Sequence, residues 1–496
     1  MFSGKRERVA VVGGGAAGLG AAWRLAEKYE VTIYEAEAEL GGNAYAHTFD
    51  DTDVQVDMGV MITLPWAYPN LYCMFQKYGI ETRAAAATLL VSFPDPEDPT
   101  KELTWSTDSP VPGAGFFGEY LEAEASRFEQ MMFEIAALPL NEQMLPIARF
   151  LDAPYPGVPH SGRYTPRFLT QGLCPLLSLF LVTRDSLLRT PAWSLSMMFR
   201  FGTLSFFSPT TWRTITGGTR EYIARLTRSF RARRLVSTKV VGVKRSGREV
   251  RVRDERGGEE VYDHVVLATA ANVALRLLGE GASADERRVL GMYTYQPAVA
   301  YLHADPSLLS ARFGPGFFFQ YRSENPAPGP NLDGVMTYSM KDAAGLQGYD
   351  GPVLVSVFSE RPPKEPTPCF ARREFSHLIA DDVALKARME MHKLQGHDRT
   401  WFCGDYTTFS SHEDAFTSGM VIGEAFGVDY PFREHPAALF RYTQNRVMMM
   451  PRLGVRTRVG LGVRLELLRD TLAVAWPQLR AKLRPRRHDG GAVVEI

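Results

Sequence analysis

A glycine-rich turn close to the start of the chain constrains the fold more than any other feature of the sequence. The small apolar residues Val9–Val12 predict a buried strand, and a helix is expected over residues 19–28. Between them, Gly13 permits a tight turn, Gly15 lets a ligand approach the backbone, and Gly18 lets the helix pack closely on the strand. The N-terminus of such a helix favours a phosphate group, because its N–H groups are free and its dipole is positive at that end.

The next strand ends on an acidic residue that completes this pattern. Residues 31–34 predict a strand, and Glu35 follows it at about the distance at which an acid accepts hydrogen bonds from a ribose diol. A glycine-rich turn alone is weak support, because it can be no more than a turn. With a strand before it, a helix after it and Glu35 beyond, the pattern predicts a dinucleotide-binding site.

The composition limits the classes of function. Lysine plus arginine and aspartate plus glutamate both number 56, so no net charge recruits nucleic acid or an acidic partner. With 496 residues the chain can bury a large core, and at least two domains are expected. The four cysteines lack a paired spacing, which argues against a disulfide framework or a zinc site and fits a reducing cytoplasm. They are Cys73, Cys174, Cys369 and Cys403.

Neither a signal peptide nor a membrane-spanning segment is expected. The first strand begins almost at the N-terminus, which leaves no room for a cleavable signal. The most apolar run, residues 168–182, is interrupted by polar residues and a proline and is too short to span a bilayer, so we expect a buried helix there. We expect a cytoplasmic protein, either fully soluble or peripheral to the inner face of the membrane.

Further motifs resemble those of a known family. The glycine turn, Glu35, Leu40-Gly41-Gly42, and Val56-Asp57 with Gly59 together resemble the flavin amine oxidase and phytoene desaturase superfamily. Residues 68–80 resemble a bacterial branch of FAD-binding, amine-oxidase-like proteins. The resemblance implies an α/β fold, in which a Rossmann-like two-dinucleotide-binding domain for FAD is discontinuous and an α+β substrate domain is inserted between its pieces.

The resemblance extends over residues 8 to about 427 and implies where the domains divide. In chain order, the expected pieces are FAD-binding residues 1–83, a substrate-domain insert 84–211, FAD-binding residues 212–285, a substrate-domain sheet 286–390, FAD-binding residues 391–430, and a basic amphipathic tail 431–496.

The resemblance also implies which residues hold FAD. The Val240 backbone would hold the adenine, and Asp405 would accept hydrogen bonds from the ribityl hydroxyls. A helix beginning near Glu413 would direct its N-terminus at the flavin pyrimidine ring, where its dipole stabilises negative charge. Gly41-Gly42 is interpreted as a second backbone approach to the cofactor, with an ordinary flexible turn as the alternative. The expected cofactor-binding residues are Gly13, Gly15, Ala16, Ala17, Gly18, Glu35, Ala36, Gly41, Gly42, Asn43, Val240, Ala268, Thr269, Gly404, Asp405, His412, Glu413 and Asp414. No metal site is expected.

Two side chains are candidates for a catalytic role. Residues 293–305 and 335–358 are expected to form strands of the substrate-domain sheet. The amine oxidases usually carry a lysine on the first of these strands that holds a water against flavin N5, but residues 293–301 have none. Lys341 lies further along and either reaches the flavin or faces solvent. His412 is either a proton carrier or a histidine of the capping loop. The branch usually has Gly-Phe before His-Glu-Asp, whereas this chain has Ser410-Ser411.

Two stretches bear on the substrate. Residues 113–211 are dense in Phe, Met and Leu; core packing explains any one of these side chains, while their density favours an apolar cavity. The tail over residues 454–487 has apolar positions at helical spacing and an excess of arginine. Such a stretch either lies on an anionic membrane surface or packs as a solvated helix on its own domain.

Together these features favour an FAD-dependent oxidoreductase that acts on a long apolar substrate, such as a fatty acyl or lipid chain, by desaturation or double-bond isomerisation. In such chemistry the cofactor does the redox work, which agrees with the lack of a compelling Ser-His-Asp, metal or paired-carboxylate constellation. One alternative is a flavin amine oxidase, which the missing lysine weakens. Another is a lipid-binding escort protein with the same fold and no redox function, against which the intact nucleotide motifs argue.

Overall fold

Helices pack around five β-sheets in the part of the chain that the structure describes. The computed structural model describes residues 6–49, 52–85, 88–95, 97–98, 100–107, 118–178, 187–200, 204, 206, 212–314, 317–324, 334–346, 348–408 and 410–450. The strands are β1 (Arg8–Val12), β2 (Glu30–Tyr34), β3 (Ala46–Thr48), β4 (Gln55–Asp57), β5 (Thr82–Ala85), β6 (Leu89–Pro94), β7 (Glu102–Ser106), β8 (Trp212–Ile215), β9 (Arg233–Leu235), β10 (Val240–Arg245), β11 (Val250–Asp254), β12 (Glu259–Tyr262), β13 (His264–Leu267), β14 (Tyr295–His303), β15 (Phe319–Arg322), β16 (Val335–Ser339), β17 (Leu354–Phe358), β18 (Cys369–Leu378) and β19 (Thr400–Phe402). The helices are α1 (Ala16–Leu25), α2 (Pro69–Tyr78), α3 (Gly118–Ile135), α4 (Leu140–Gln143), α5 (Ala148–Asp152), α6 (Cys174–Ser178), α7 (Ala192–Arg200), α8 (Gly218–Arg228), α9 (Ala271–Leu278), α10 (Ala284–Leu290), α11 (Lys341–Ala344), α12 (Asp382–Glu390), α13 (His412–Ala425) and α14 (Pro436–Met449).

The strand before the glycine turn is the centre of a five-stranded parallel sheet. Its order is β19-β13-β1-β2-β9, and every neighbouring pair is parallel. β1 is buried and apolar after its first residue, as expected for a parallel strand that is covered on both faces. α1 packs so closely on α13 that a Cβ at Gly419 would lie 2.0 Å from the Ala17 carbonyl oxygen. A three-stranded antiparallel sheet, β10-β11-β12, completes this region. The predicted Rossmann-like α/β fold is confirmed.

The second large sheet has seven strands in the order β18-β14-β17-β16-β15-β6-β7, antiparallel except for the β15–β6 pair. Side chains of directly opposite residues point to the same face. The register therefore places a set of buried, mostly apolar side chains on one face, which we call the apolar sheet face. They are Leu89, Val91, Ala298, Ala300, Leu302, Phe319, Tyr321, Met336, Tyr338, Val355, Val357 and Phe375.

The helices that follow β7 in the chain pack in the same hydrophobic cluster as the apolar sheet face. Phe128 of α3 contacts Phe199 of α7, with 5.3 Å between the ring centroids, and Phe168 and Phe206 pack beside them. These four aromatic side chains are buried, so they act as core here. The prediction of a cavity in this stretch is not tested by them, because parts of residues 113–211 lie outside the described residues.

Three elements differ from the sequence-based expectation. α1 begins at Ala16 rather than residue 19 and ends at Leu25, since the glycine turn itself leads directly into the first helical turn. The helix expected over 168–182 consists of a π-helical segment, Phe168–Leu173, followed by α6, and residues 179–186 lie outside the described part. The strands expected over 335–358 are separated by α11, which ends at Gly345 with a left-handed φ of 82°.

Residues 1–451 form one compact unit, and a second unit covers residues 452–496. The second unit, which contains most of the predicted basic tail, lies outside the described residues. Among the described helices, none is both long and apolar enough to cross a membrane. The sheets show which strands associate, but the predicted domain boundaries remain predictions.

Candidate cofactor site

Four strands of the parallel sheet end at the same edge. The carboxyl ends of β1, β2, β13 and β19 are followed by Gly13, Glu35, Ala268 and, after one further residue, Gly404. Backbone hydrogen bonds hold this edge together, for example from the Gly13 N–H to the Tyr34 carbonyl at 2.8 Å. Open α/β sheets bind ligands outside the carboxyl ends of their strands. The structure therefore brings these sequence-predicted residues to the edge at which a ligand would bind.

The glycine turn forms a cradle that no larger residue would fit. Gly13 has a φ of +105°, and a Cβ there would lie 2.6 Å from the Ala268 carbonyl oxygen. A Cβ on Gly18 would lie 1.8 Å from the Gly13 carbonyl oxygen. Gly15 precedes α1, whose first turn is formed by the small, buried residues Ala16 and Ala17. The N–H groups of this turn are therefore open to an anion.

Glu35 faces the glycine turn. Its Oε2 accepts a hydrogen bond from the Gly14 N–H at 2.7 Å, and its Oε1 accepts one from the Glu37 N–H at 2.9 Å. The residue is only 9% exposed, while the neighbouring Ala36 is exposed. A carboxylate has about four lone-pair positions, so each oxygen of Glu35 can accept a further hydrogen bond, as a ribose diol would require.

The second glycine pair lies against the first. The Gly41 N–H donates to the Gly14 carbonyl at 2.9 Å, and a Cβ on Gly42 would lie 3.0 Å from the Gly15 Cα. Gly41 and Gly42 have φ values of +135° and +59°, which favour glycine. Asn43 continues this loop. This arrangement agrees with a second backbone approach to a bound ligand, although the role itself stays a prediction.

The start of β10 passes beside Glu35. The Thr238 N–H donates to the Glu35 carbonyl at 2.7 Å, and Val240, two residues later, is buried. On the other side, the Thr269 carbonyl would lie 3.7 Å from a Cβ at Gly404. Val240 and Thr269 thus flank the same edge from two directions.

Asp405 follows Gly404 and lies beside a buried arginine. Burial raises the pKa of the Asp405 carboxyl, while the positive charge of Arg388 acts in the opposite direction. Arg388, on α12, is 3% exposed and donates hydrogen bonds to the Tyr406 carbonyl and to the Ser410 hydroxyl. The Asp405 carboxylate interacts with the backbone N–H groups of Asp405 and Tyr406, while no described side chain donates to it, so it keeps capacity to accept further hydrogen bonds.

α13 begins with a capping box. The Ser411 hydroxyl accepts a hydrogen bond from the Asp414 N–H, and the Asp414 carboxylate accepts one from the Ser411 N–H. Arg441 and Asn445 also donate to Asp414, at 2.9 and 3.3 Å. The side chain of Asp414 is therefore occupied by protein groups, and its predicted contact with a cofactor concerns the backbone.

Glu413 has a structural contact of its own. Its carboxylate accepts hydrogen bonds from the Asn70 N–H at 2.9 Å, the Asn70 side-chain amide at 2.8 Å and the Leu71 N–H at 2.9 Å. These N–H groups belong to the first turn of α2. Burial raises the pKa of Glu413 to about 7, against the effect of these hydrogen bonds. The Glu413 side chain links the N-termini of α13 and α2. The group of Glu413 that would contact a cofactor is therefore its backbone N–H.

His412 is paired with a tyrosine. Its Nε2 lies 2.7 Å from the Tyr222 hydroxyl on α8. Burial lowers the pKa of His412 to about 4 and raises that of Tyr222. Both side chains are therefore neutral near pH 7, and the tautomer of His412 decides whether the Tyr222 hydroxyl donates to Nε2 or accepts from Nε2–H. Whether His412 carries protons stays a prediction.

Lys341 is the first residue of α11. It is half-buried, and no described residue forms a hydrogen bond or an ion pair with its ammonium group. The same helix borders a cavity of about 380 Å³ whose lining includes Asp57, Arg83 and Gly218, but not Lys341. A catalytic role for Lys341 stays a prediction. Among the described residues, no group of three or more His, Cys, Asp or Glu side chains could hold a metal ion.

Comparison with known proteins identifies the family. The family model for flavin containing amine oxidoreductases matches residues 16–303, which is more than half of the chain. The chain belongs to this family. FAD is therefore the cofactor of this protein, and oxidation and reduction are the class of its activity. No curated protein matches the chain significantly.

Solved structures share the fold at low sequence identity. A variant of putrescine oxidase is 14% identical with a TM-score of 0.60, and the match covers 85% of this chain and 98% of that one. Cyclohexylamine oxidase from Brevibacterium oxydans is 14% identical with a TM-score of 0.59, covering 85% and 100% of the two chains. A CLA-producing fatty acid isomerase from P. acnes is 14% identical with a TM-score of 0.57, covering 85% and 98%. At this identity they support the fold alone.

The residues of this site fit FAD. The glycine cradle offers N–H donors to the diphosphate, where any added Cβ at Gly13 or Gly18 would collide with the backbone. Glu35 and Asp405 offer carboxylate acceptors to ribose and ribityl hydroxyls at two ends of the same sheet edge. The donors would thus serve the anionic part of the cofactor, and the acceptors its hydroxyl groups.

Sequence analysis missed three residues that shape this site: Asn70, Tyr222 and Arg388. Asn70 is 343 positions from Glu413, and Tyr222 is 190 positions from His412. α12 contains several charged residues, so the sequence gave no sign that Arg388, which is one of them, is buried. The departure of Ser410-Ser411 from the usual Gly-Phe was visible in the sequence, but the contact between Ser410 and Arg388 was not.

Proposed function

We propose that this FAD-dependent oxidoreductase acts on a long apolar substrate, such as a fatty acyl or other lipid chain, by desaturation or double-bond isomerisation. When bound, FAD supplies the redox chemistry by accepting or returning a hydride at N5. The protein's part is to hold a C–H bond in position and to exclude water.

The apolar sheet face carries this proposal. Its twelve defining side chains are buried and belong to one hydrophobic cluster with the helices that follow β7. Phe375 of this face would lie 3.7 Å from a Cβ at Gly59, so the face extends to the loops that follow the second glycine pair. An apolar wall at that position suits a hydrocarbon chain, because each buried methylene contributes roughly 0.8 kcal/mol to binding.

The charges on this face also favour a hydrocarbon over an amine. An amine substrate is a cation near neutral pH, and desolvating a cation is costly without an opposite charge. Within the described strands, the register places neither Asp nor Glu on the apolar sheet face, and the charged residue that it does place there, Arg373, is positive.

The amine oxidase alternative has one specific observation in its favour. The Lys341 ammonium has no hydrogen bond or ion pair with a described residue, so it is free to hold a water molecule. If Lys341 has this role, Lys341→Met should abolish flavin reduction by an amine while FAD stays bound. For a hydrocarbon substrate the same variant should keep its activity.

An anaerobic substrate test separates the two functions. The oxidised protein is mixed with unsaturated fatty acids or phospholipids, and separately with primary amines and polyamines, while flavin absorbance and lipid double bonds are followed. We expect lipid products with shifted or additional double bonds, with no net flavin bleaching if the reaction is an isomerisation. Flavin reduction by amines alone, with all lipids returned unchanged, would contradict the proposal.

We also propose that the part of the basic tail over residues 454–487, which lies outside the described residues, brings the protein to an anionic lipid surface. The excess of arginine and the helical spacing of apolar positions over residues 454–487 support this. The full chain and a chain ending at Pro451 are sedimented with phosphatidylglycerol vesicles and with phosphatidylcholine vesicles. We expect the full chain alone to bind, and only to the anionic vesicles. Equal behaviour of the two chains would mean that the tail has no such role.

A further inference from the structure

Arg373 extends from β18 toward the second glycine pair. Along this strand, Arg372, Glu374 and Ser376 are exposed, whereas Arg373 and Phe375 turn inward. An Arg373 guanidinium N–H donates to the Gly42 carbonyl at 2.9 Å, and the guanidinium carbon lies 4.1 Å from the centroid of the Tyr45 ring. Two independent contacts therefore fix the charged group.

The position of Arg373 is next to the expected diphosphate. Gly42 touches Gly15 so closely that a Cβ on Gly42 would be 3.0 Å from the Gly15 Cα, and an isolated β-bridge joins Gly15 to Gly41. α1 begins directly after Gly15, where a diphosphate binds in this fold. Arg373 is thus bonded to the residue that lies against the phosphate-binding turn.

Arg373 also has capacity for another partner. Among the described residues, its guanidinium makes one hydrogen bond, through Nη2 to the Gly42 carbonyl, although guanidinium N–H groups are strong donors and several can bind at once. A diphosphate carries negative charge that the end of a helix dipole, about half an elementary charge, only partly balances. Residues 13–18 contain no Lys or Arg, so the turn itself supplies no further positive charge.

We propose that Arg373 binds the diphosphate of FAD, so that an edge strand of the seven-stranded sheet supplies the positive charge that the glycine turn lacks. A guanidinium suits this contact because it offers several N–H groups in a planar fork to phosphate oxygens. The proposal rests on FAD as the cofactor and is independent of which substrate is used.

The test compares two adjacent arginines. Arg373→Gln removes the inward charge, and Arg372→Gln removes an exposed arginine whose partners are the exposed acids Glu365 and Glu374. Each apo-protein is titrated with FAD and, separately, with ADP and with riboflavin. We expect Arg373→Gln to weaken FAD and ADP roughly 10- to 100-fold, to leave riboflavin unchanged, and to reduce the salt dependence of FAD binding. Arg372→Gln should bind all three as the wild type does.

A purely structural role gives a different result. If Arg373 only fixes Gly42, then Arg373→Gln should lower the thermal midpoint of the apo-protein and weaken riboflavin as much as ADP, which would overturn the proposal. Unchanged FAD affinity would overturn it too. Arg373→Lys keeps the charge without the fork, and we expect intermediate ADP affinity. If Arg373→Gln does not fold as apo-protein, the rate of FAD loss from holoprotein Arg373→Lys gives the same comparison.

Discussion

Ser410 combines an unfavourable backbone conformation with a bond to a buried charge. Its φ is +68°, in the left-handed region, which costs a residue with a Cβ about 1–2 kcal/mol. Its hydroxyl accepts a hydrogen bond from Arg388, which also donates to the Tyr406 carbonyl. The resembled branch usually has a glycine here, so this chain keeps the glycine-like conformation and adds a side-chain contact that fixes the segment after Asp405.

Two substitutions of Ser410 separate these effects. Ser410→Ala removes the acceptor from the buried Arg388 and keeps the Cβ, so we expect a loss of about 1–3 kcal/mol in the free energy of unfolding. Ser410→Gly removes the acceptor and also the backbone strain, so we expect it to be more stable than Ser410→Ala by about 1 kcal/mol. Denaturant unfolding of the apo-protein measures both. Equal stability of the two variants would mean that the left-handed conformation costs nothing.

His412 makes stability depend on pH. Burial lowers its pKa to about 4 in the folded protein, so folding favours the neutral imidazole. The stability that this preference contributes is fully present above the unfolded pKa of about 6.5 and is lost as the pH falls toward 4.

His412→Gln keeps an acceptor for the Tyr222 hydroxyl but does not titrate. Between pH 6.5 and 4 we expect the free energy of unfolding of the wild type to fall more than that of His412→Gln, by up to roughly 2 kcal/mol. Denaturant unfolding at several pH values measures the difference. Parallel curves for the two proteins would show that His412 is not held neutral.

At the scale of elements, the N-terminus of α13 is held by two other helices. Glu413 accepts three hydrogen bonds from the first turn of α2, and Asp414 accepts hydrogen bonds from Arg441 and Asn445 on α14. The acidic side chains thus fix the start of the helix, and within its first turn the Asp414 N–H donates to the Ser411 hydroxyl. The orientation of the helix dipole is therefore set by contacts between elements.

Removing Glu413 should destabilise the whole protein. Glu413→Ala leaves three buried N–H donors without their acceptor, each worth about 1–3 kcal/mol, so we expect a loss of at least about 3 kcal/mol. Glu434→Ala, at an exposed position two residues before α14, is the control and should change stability little. The midpoints of urea unfolding measure both. A loss in Glu413→Ala no larger than in the control would contradict this role.

Local patterns predicted the elements better than the contacts between them. The strand, glycine turn and helix at Val9–Leu25, with Glu35 beyond, depend on short-range spacing, and all were visible in the sequence. The interruption of the strands over 335–358 by α11 was not predicted, although Lys341, Asp342 and Gly345 break the apolar run there. In the sequence, Arg373 and Arg388 have other charged residues as close neighbours. Only the fold shows that these two side chains turn inward.

At the scale of the whole molecule, residues 1–451 combine a parallel sheet that ends in the cofactor groups with a seven-stranded sheet that presents an apolar face. The pair β5–β8 links the chain segments on either side of the insert, and Arg373 contacts the glycine loop from the seven-stranded sheet. The Arg373 contact thus joins the seven-stranded sheet to the glycine loop of the cofactor site.

The FAD affinity of Glu35→Gln tests this account most directly, because Glu35 fixes where the nucleotide lies on the sheet edge. Apo-protein of the wild type, Glu35→Gln and the exposed neighbour Glu37→Gln is titrated with FAD. We predict that Glu35→Gln loses charge-assisted hydrogen bonds to the ribose and binds roughly 10- to 100-fold more weakly, while Glu37→Gln binds as the wild type does. Unchanged affinity in Glu35→Gln would show that the nucleotide does not lie along this edge.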